Sequence, residues 1–374
     1  MREPGRAKHA GPPTRHARRT AHAGPGTLDR DASTWEERPE RCKPEGVAAD
    51  ARHTKRRSAL RIVVTGATGT IGRALLATLD GEVTVLTRTP DRARALVNAA
   101  RHVAWDGRSA LDPGTFDGVD LVYHLAGEPV ASRRRWSREK KRRIEDSRVL
   151  GTRAVVDAIG KARARPALVC ASAIGFYGDR GDELLTESTG PGDGFLADVC
   201  RKWEAEAAAA ERHGVRVARM RIGLVLSREG GALRRILPLF RAGLAGRLGS
   251  GRQWMPWIHI DDVVALLRHA GLHPDLVGPV NTVAPHAVTN ATFTRALGRV
   301  LHRPTLLAVP TFALRLALGE LAEVVLASQH AVPEAATRAG FVFRHTRIDG
   351  ALEDLVRRSA SAEPTGGGRR AEAT

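Results

Sequence analysis

Seven residues, Gly66-Ala67-Thr68-Gly69-Thr70-Ile71-Gly72, set three glycines at three-residue intervals. A loop of this kind has the chemistry of a diphosphate cradle. Glycines let the backbone approach a pyrophosphate without Cβ clashes. A helix opening behind them turns its free N–H groups and positive dipole end toward the phosphates. The β-branched run Arg61-Ile62-Val63-Val64-Thr65 precedes the loop and a helical stretch follows it. That strand–loop–helix context separates a dinucleotide site from an ordinary tight turn. The expected contacts are Gly66, Thr68, Gly69, Thr70, Ile71 and Gly72.

The end of the second strand selects the dinucleotide. An NAD site places Asp or Glu there to hold the ribose 2′-hydroxyl. This chain has Thr87-Arg88 and no acid until Asp91. A guanidinium pairs bidentately with a 2′-phosphate, which a carboxylate would repel. The cofactor expected is therefore NADP, held in part by Thr87 and Arg88; the other reading of Arg88 is a solvated loop residue. Asp106 closes the third strand, where adenine would lie, either accepting from the adenine amino group or serving as a turn residue. Leu125, Ala126 and Gly127 end the fourth strand, and small residues there let the chain pass under the cofactor ribose. Glu128 follows, as a polar group near the nicotinamide or as a surface acid.

Two hydroxyls are candidates for proton chemistry. Ser172 ends the fifth strand. Tyr177, one of two tyrosines in the chain, lies in a loop above the carboxyl edge of the sheet, where open α/β sheets bind ligands. It is read as a proton donor or as a packed aromatic. Arg221 either faces substrate or belongs to a buried ion pair, and His259 reads as a packed histidine.

The elements that position these residues alternate. Strands are expected at 61–65, 83–87, 102–105, 119–124, 167–171 and 215–226, and helices at 73–79, 91–98, 137–162 and 197–212. The pattern predicts an α/β fold, a doubly wound parallel Rossmann sheet. A smaller, mostly helical C-terminal region follows. The expected divisions are a disordered basic tail over 1–58, a Rossmann domain over 59–230, a substrate-side segment over 231–280, a small C-terminal domain over 281–356 and a disordered tail over 357–374. Residues 1–58 hold too little apolar surface to offset ordering entropy.

Several longer motifs carry a resemblance. GATGTIG, TRTP, HLAGEPV, RRW followed by SRVLGT, SAIGFYG, FLADVCRKWE and GSGRQWMPWIHIDD occur in that order. Together they resemble the atypical extended short-chain dehydrogenases, the "epimerase family" of sugar-nucleotide epimerase-like oxidoreductases. NTVAPHAVTN, Arg303-Pro304, the segment 316–343 and the final ALEDL resemble that family's small C-terminal domain. The likeness covers roughly residues 60–356. It implies NADP(H) bound by the glycine loop, Thr87-Arg88 and Ala126-Gly127-Glu128, and it supplies no substrate. Typical short-chain dehydrogenases use Ser, Tyr and Lys, with Tyr and Lys at i and i+4. In extended members a Glu commonly follows four residues after the Lys. Glu204 fits that Glu, which puts Cys200 at the Lys and Leu196 at the Tyr; the neighbouring register gives Val199 and Phe195. Neither supplies the pair.

Bulk properties bound the partners. The net charge is +18 over 374 residues, but aromatics are only 4%, which leaves little for base stacking. A nucleic-acid role is not expected. The basic run Arg133 to Arg143 reads as a solvated helix face, or as a site mouth attracting an anionic substrate. The three cysteines, Cys42, Cys170 and Cys200, have no zinc spacing and suit a cytoplasmic protein. No metal site, membrane span or secretory signal is expected. The functional expectation is an NADP-dependent oxidoreductase or epimerase-like enzyme for a small molecule. Its competitor is an NADP(H)-binding sensor or scaffold that has lost catalysis.

Overall fold

The computed structural model describes residues 59–131 and 135–360, with side chains through 357. The expected tail at 1–58, Cys42, residues 132–134 of the basic run and residues 361–374 lie outside that range.

Seven parallel strands form the central sheet: β1 (Arg61–Thr65), β2 (Glu82–Thr87), β3 (Arg101–Ala104), β4 (Leu121–His124), β5 (Ala167–Ala173), β6 (Val217–Ile222) and β7 (Gly278–Thr282). Their spatial order is β7-β6-β5-β4-β1-β2-β3. The order reverses between β1 and β4, so their carboxyl ends frame the crevice where doubly wound sheets bind ligands. The helices in chain order are α1 (Thr70–Leu76), α2 (Pro90–Arg94), α3 (Arg138–Lys161), α4 (Phe195–Ala208), α5 (Gly231–Arg241), α6 (Ile260–Leu272), α7 (Asn290–Leu301), α8 (Thr311–Leu318), α9 (Leu321–Leu326), α10 (Glu334–Arg338) and α11 (Ile348–Ala360).

Alternation along the strands builds two cores. Ile62 and Val64 of β1 face Leu75 of α1 and Val263 and Leu267 of α6. Val63 between them faces the other side, with Val155 and Ile159 of α3 and Trp203 of α4. Strands buried on both faces read as continuous apolar runs, which is why β1 was legible. The 24-residue α3 is capped by Ser137, whose hydroxyl accepts from Lys140 N. A third cluster joins Leu233 and Leu237 of α5, Phe293 of α7 and Leu352 of α11.

The structure departs from the sequence reading at four places. Helix α1 starts at Thr70 rather than 73, because extended Gly69 is its N-cap. The expected sixth strand, 215–226, divides at Gly223. Its tail, Leu224–Leu226, leaves the main sheet and pairs with Trp257–His259. A Cβ at Gly223 would lie 2.5 Å from Pro256 O, so the crossing needs glycine. The strand β7 was not expected: residues 278–280 close the expected substrate-side segment, and 281–282 open the expected helical region. Pro279 masks it, yet β7 is an edge strand, where proline is tolerated. The main sheet therefore takes residues from both sides of the expected division at 280. The final helix also runs past 356.

Candidate dinucleotide site

The glycine loop is shaped by two backbone contacts. Gly66 has φ +71°, and a Cβ there would lie 2.6 Å from Leu125 C at the exit of β4. A Cβ at Gly72 would lie 2.3 Å from Gly66 O. The turn closes with Gly69 N donating to Gly66 O at 3.0 Å. Neither a side-chain cap nor a first-turn acid competes for the N-terminus of α1. Thr68 and Gly69 are exposed. A cavity of about 240 Å³ opens on Gly66, Gly69, Thr70, Ile71 and Gly72, with Leu125 beside it and Gly230-Gly231 across. The residues thus fit a diphosphate: a glycine-lined turn with exposed Thr68 and Gly69, uncharged cavity walls and an open helix end.

A buried network fixes the neighbouring β4 exit. The Thr65 hydroxyl accepts from Ala126 N at 3.1 Å and lies 2.8 Å from His124 Nδ1. His124 Nε2 is 3.1 Å from the Thr152 hydroxyl on α3. The neutral ring bridges the two hydroxyls, one of its nitrogens donating and the other accepting. Burial holds the His124 ring neutral, pushing its pKa down to about 4. The sequence reading passed over this network, although a histidine ending the apolar run Leu121–His124 was a visible signal.

At the β2 exit, Thr87 Oγ1 accepts weakly from Thr89 N at 3.4 Å, and Arg88 is exposed. Asp106 holds its own turn: Oδ1 accepts from Arg108 N, Ser109 N and the Ser109 hydroxyl. The Ser109 and Arg108 amides lead in holding its carboxyl below the usual value. The turn reading accounts for Asp106. Glu128 is no isolated surface acid. Its carboxylate accepts from Lys140 Nζ at 2.7 Å and lies 3.9 Å from Arg143 Nε. Burial raises its pKa, but the Lys140 bond and the charges of Lys140, Arg143 and Arg88 bring it below the usual value. The basic run thus turns at least Lys140 inward, while Lys202 pairs with Glu145 on the surface.

Ser172 and Tyr177 belong to a different network. The Ser172 hydroxyl donates to Glu204 Oε1 at 2.6 Å. Arg221 grips both Glu204 oxygens, at 2.8 and 2.9 Å, and its Nη1 donates to Tyr177 Oη at 2.8 Å. The phenol shares its single proton between Thr186 O and Asn281 Oδ1. Tyr177 is 0% exposed, and burial raises its pKa despite Arg221. A phenol with no exposed face and a fully used oxygen suits the packing reading, not proton donation to a substrate. Arg221 is the buried ion pair of its two readings. The unusual positions on α4 are also neutral: Cys200 is buried, and desolvation pushes its thiol up to about 12.

His259 packs as read, its ring stacked on His345 with centroids 3.8 Å apart and Nδ1 accepting from Asp261 N. Cys170 and Cys200 are free thiols. Among the described residues no helix is long and apolar enough to cross a membrane.

This is the architecture of a dinucleotide-binding protein of the extended short-chain dehydrogenase class. The chain belongs to the NAD dependent epimerase/dehydratase family, matched over residues 62–283, and residues 309–355 match a domain of unknown function, DUF1731. It is 43% identical to an epimerase family protein of Mycobacterium bovis over 78% of this chain and 96% of that one. The human epimerase family protein SDR39U1 (isoform 2), solved with NADPH, superposes with TM-score 0.70 at 31% identity, covering 80% of this chain and 99% of that one. A nucleoside-diphosphate sugar epimerase from Corynebacterium glutamicum superposes with TM-score 0.64 at 36% identity, over 80% of this chain and 58% of that one.

Proposed function

We propose that the protein is a cytoplasmic NADP(H)-dependent oxidoreductase or epimerase-like enzyme acting on a small molecule. The observation that carries this reading is the glycine-lined Gly66–Gly72 cradle with exposed Arg88, and no carboxylate, at the β2 exit. The NADPH in the human relative supports it. NADP(H), when bound, supplies hydride chemistry at its nicotinamide ring. The protein's part is to seat the diphosphate at the α1 N-terminus, the 2′-phosphate at Arg88 and the riboses over the β4 exit. Lys140 and Arg143 around Glu128 favour an anionic substrate.

A second reading has its own support. Tyr177 is sealed in the core and Cys200 is a neutral thiol, so neither provides the proton relay of ordinary short-chain dehydrogenases. That favours an NADP(H)-binding sensor or scaffold without catalysis.

The separating experiment is a titration with NADPH and NADH, then a screen of carbonyl compounds and nucleotide sugars for change in NADPH absorbance. Turnover of any substrate class supports the enzyme; tight NADPH binding with no turnover across the panel supports the sensor. Replacing Arg88→Asp should weaken NADPH roughly 10- to 100-fold, the scale of a lost charge-assisted contact, while sparing NADH. Unchanged NADPH affinity would remove the 2′-phosphate assignment.

A further inference from the structure

A second cation stands beside the β4 exit, and among the described residues it has no ion-pair partner. Arg148 rises from α3 to the exit of β4. Its Nη1 donates to Glu128 O at 3.0 Å and to Ile144 O at 3.1 Å. The guanidinium lies against the Trp203 ring of α4, 5.1 Å from its centroid. Among the described residues, no carboxylate lies within ion-pair distance of Arg148. The nearby Glu128 carboxylate is taken by Lys140 and Arg143. Nor do Nε and Nη2 donate a hydrogen bond to any described residue. These two donors are not among the buried atoms left without a partner, so they stay open to solvent or to a ligand that accepts from them.

The approach to Arg148 is also shaped. A Cβ at Gly127 would come within 3.3 Å of both Cζ and Nη2. A side chain at 127 would therefore press on the guanidinium, and glycine avoids that. The adjoining α4 residue, Cys200, is a buried neutral thiol and contributes no compensating charge.

Position in the sheet identifies what arrives. In a doubly wound sheet each half binds one nucleotide of the dinucleotide. Arg88 at the β2 exit marks the adenine half. The strand β4 lies on the opposite side of β1 from β2, so a group at the β4 exit meets the nicotinamide half. There the oxygens within reach of a planar fork of N–H donors are the hydroxyls of the second ribose.

We propose that Arg148 holds the hydroxyls of the nicotinamide-side ribose, acting as the fixed cation that α4 lacks at Cys200. This rests on the dinucleotide reading above. It assigns Arg148 a binding role, with Gly127 leaving the guanidinium room and Trp203 and Glu128 O fixing its plane.

The test is titration of the full chain and of R148K and R148M with three probes: NADPH, 2′,5′-ADP (the adenine half alone), and an NADPH analogue lacking the 2′- and 3′-hydroxyls of the nicotinamide ribose. R148M should bind NADPH at least about tenfold more weakly, while 2′,5′-ADP stays within about twofold, the difference between losing a charged hydrogen bond and losing none. R148K should fall between. The wild-type protein should discriminate against the dideoxy analogue, and R148M should not. Equal weakening of NADPH and 2′,5′-ADP, or no discrimination by the wild type, overturns the assignment. Should R148M fail to fold, R148K and the wild-type analogue comparison still decide it. A wild-type protein that binds neither NADPH nor NADH would instead refute the dinucleotide reading itself.

Discussion

Lowering the pH should loosen this fold through His124, and the amount follows from its surroundings. The ring is 0% exposed, between Thr65 and Thr152, with no acid paired to it among the described residues. Its pKa falls from 6.5 to about 4 on burial. Between these values the unfolded chain binds a proton that the folded chain refuses. Stability is therefore fully present above the unfolded pKa and is lost as pH falls toward 4. One pKa unit is worth about 1.4 kcal/mol, so the loss attributable to His124 is about 2 kcal/mol between pH 7 and 5, and about 3 by pH 4. The assay is urea unfolding of the wild type and of His124→Gln at pH 7, 6 and 5. Glutamine keeps hydrogen-bonding capacity without titrating in this range, so it removes the histidine term and leaves the others. The wild-type advantage over the variant should shrink by about 2 kcal/mol from pH 7 to 5. A gap that stays constant across the three pH values would refute the claim that the buried ring is neutral and costly to charge.

Two further outcomes follow from the same geometry. Gly66→Ala places a Cβ 2.6 Å from Leu125 C at φ +71°, adding a left-handed strain of roughly 1–2 kcal/mol to a backbone collision. NADPH affinity should drop at least about tenfold, and an isothermal titration matching the wild type would contradict the cradle. Tyr177→Phe removes an oxygen used by Arg221, Thr186 and Asn281, so unfolding should be easier by roughly 1–3 kcal/mol. Any turnover found in the substrate screen should change by less than about threefold; a loss of about a hundredfold or more, the scale of a lost acid–base group, would restore the tyrosine as proton donor.

What the sequence disclosed follows from the range of the interactions involved. The glycine cradle was readable because its cause is local: residues 66–72 carry their own turn, cap and helix start. The buried strands β1, β4 and β5 were readable because burial on both faces leaves an apolar run. The edge strand β7 was hidden, since one side carries no partner strand and Pro279 and Asn281 are allowed there. The break at Gly223 was hidden because its reason, the approach of Pro256 O, lies 33 residues further along the chain. The same holds for the site. Thr65–His124–Ala126 and Ser172–Glu204–Arg221–Tyr177 are assembled across strands, and periodicity says nothing about partners 61 or 104 residues apart. Asp106 and Tyr177 each have two readings from sequence, and the hydrogen bonds each makes within the protein favour the structural one.

The fate of the usual catalytic positions narrows what any reaction here can use. A base must lose its proton near neutral pH, and the buried thiol of Cys200, pushed up to about 12, does not. A donor must reach substrate, and the Tyr177 oxygen is committed within the core. Ser172 is occupied by Glu204, which Arg221 in turn neutralises. Arg88, Lys140, Arg143 and Arg148 gather cationic charge around Glu128 near the β4 exit. Cations stabilise negative charge developing on an oxygen but do not abstract protons. Chemistry at this site would therefore depend on electrostatic stabilisation, with proton exchange through water or a substrate group. The anionic substrate proposed above would suit such electrostatics better than a neutral sugar.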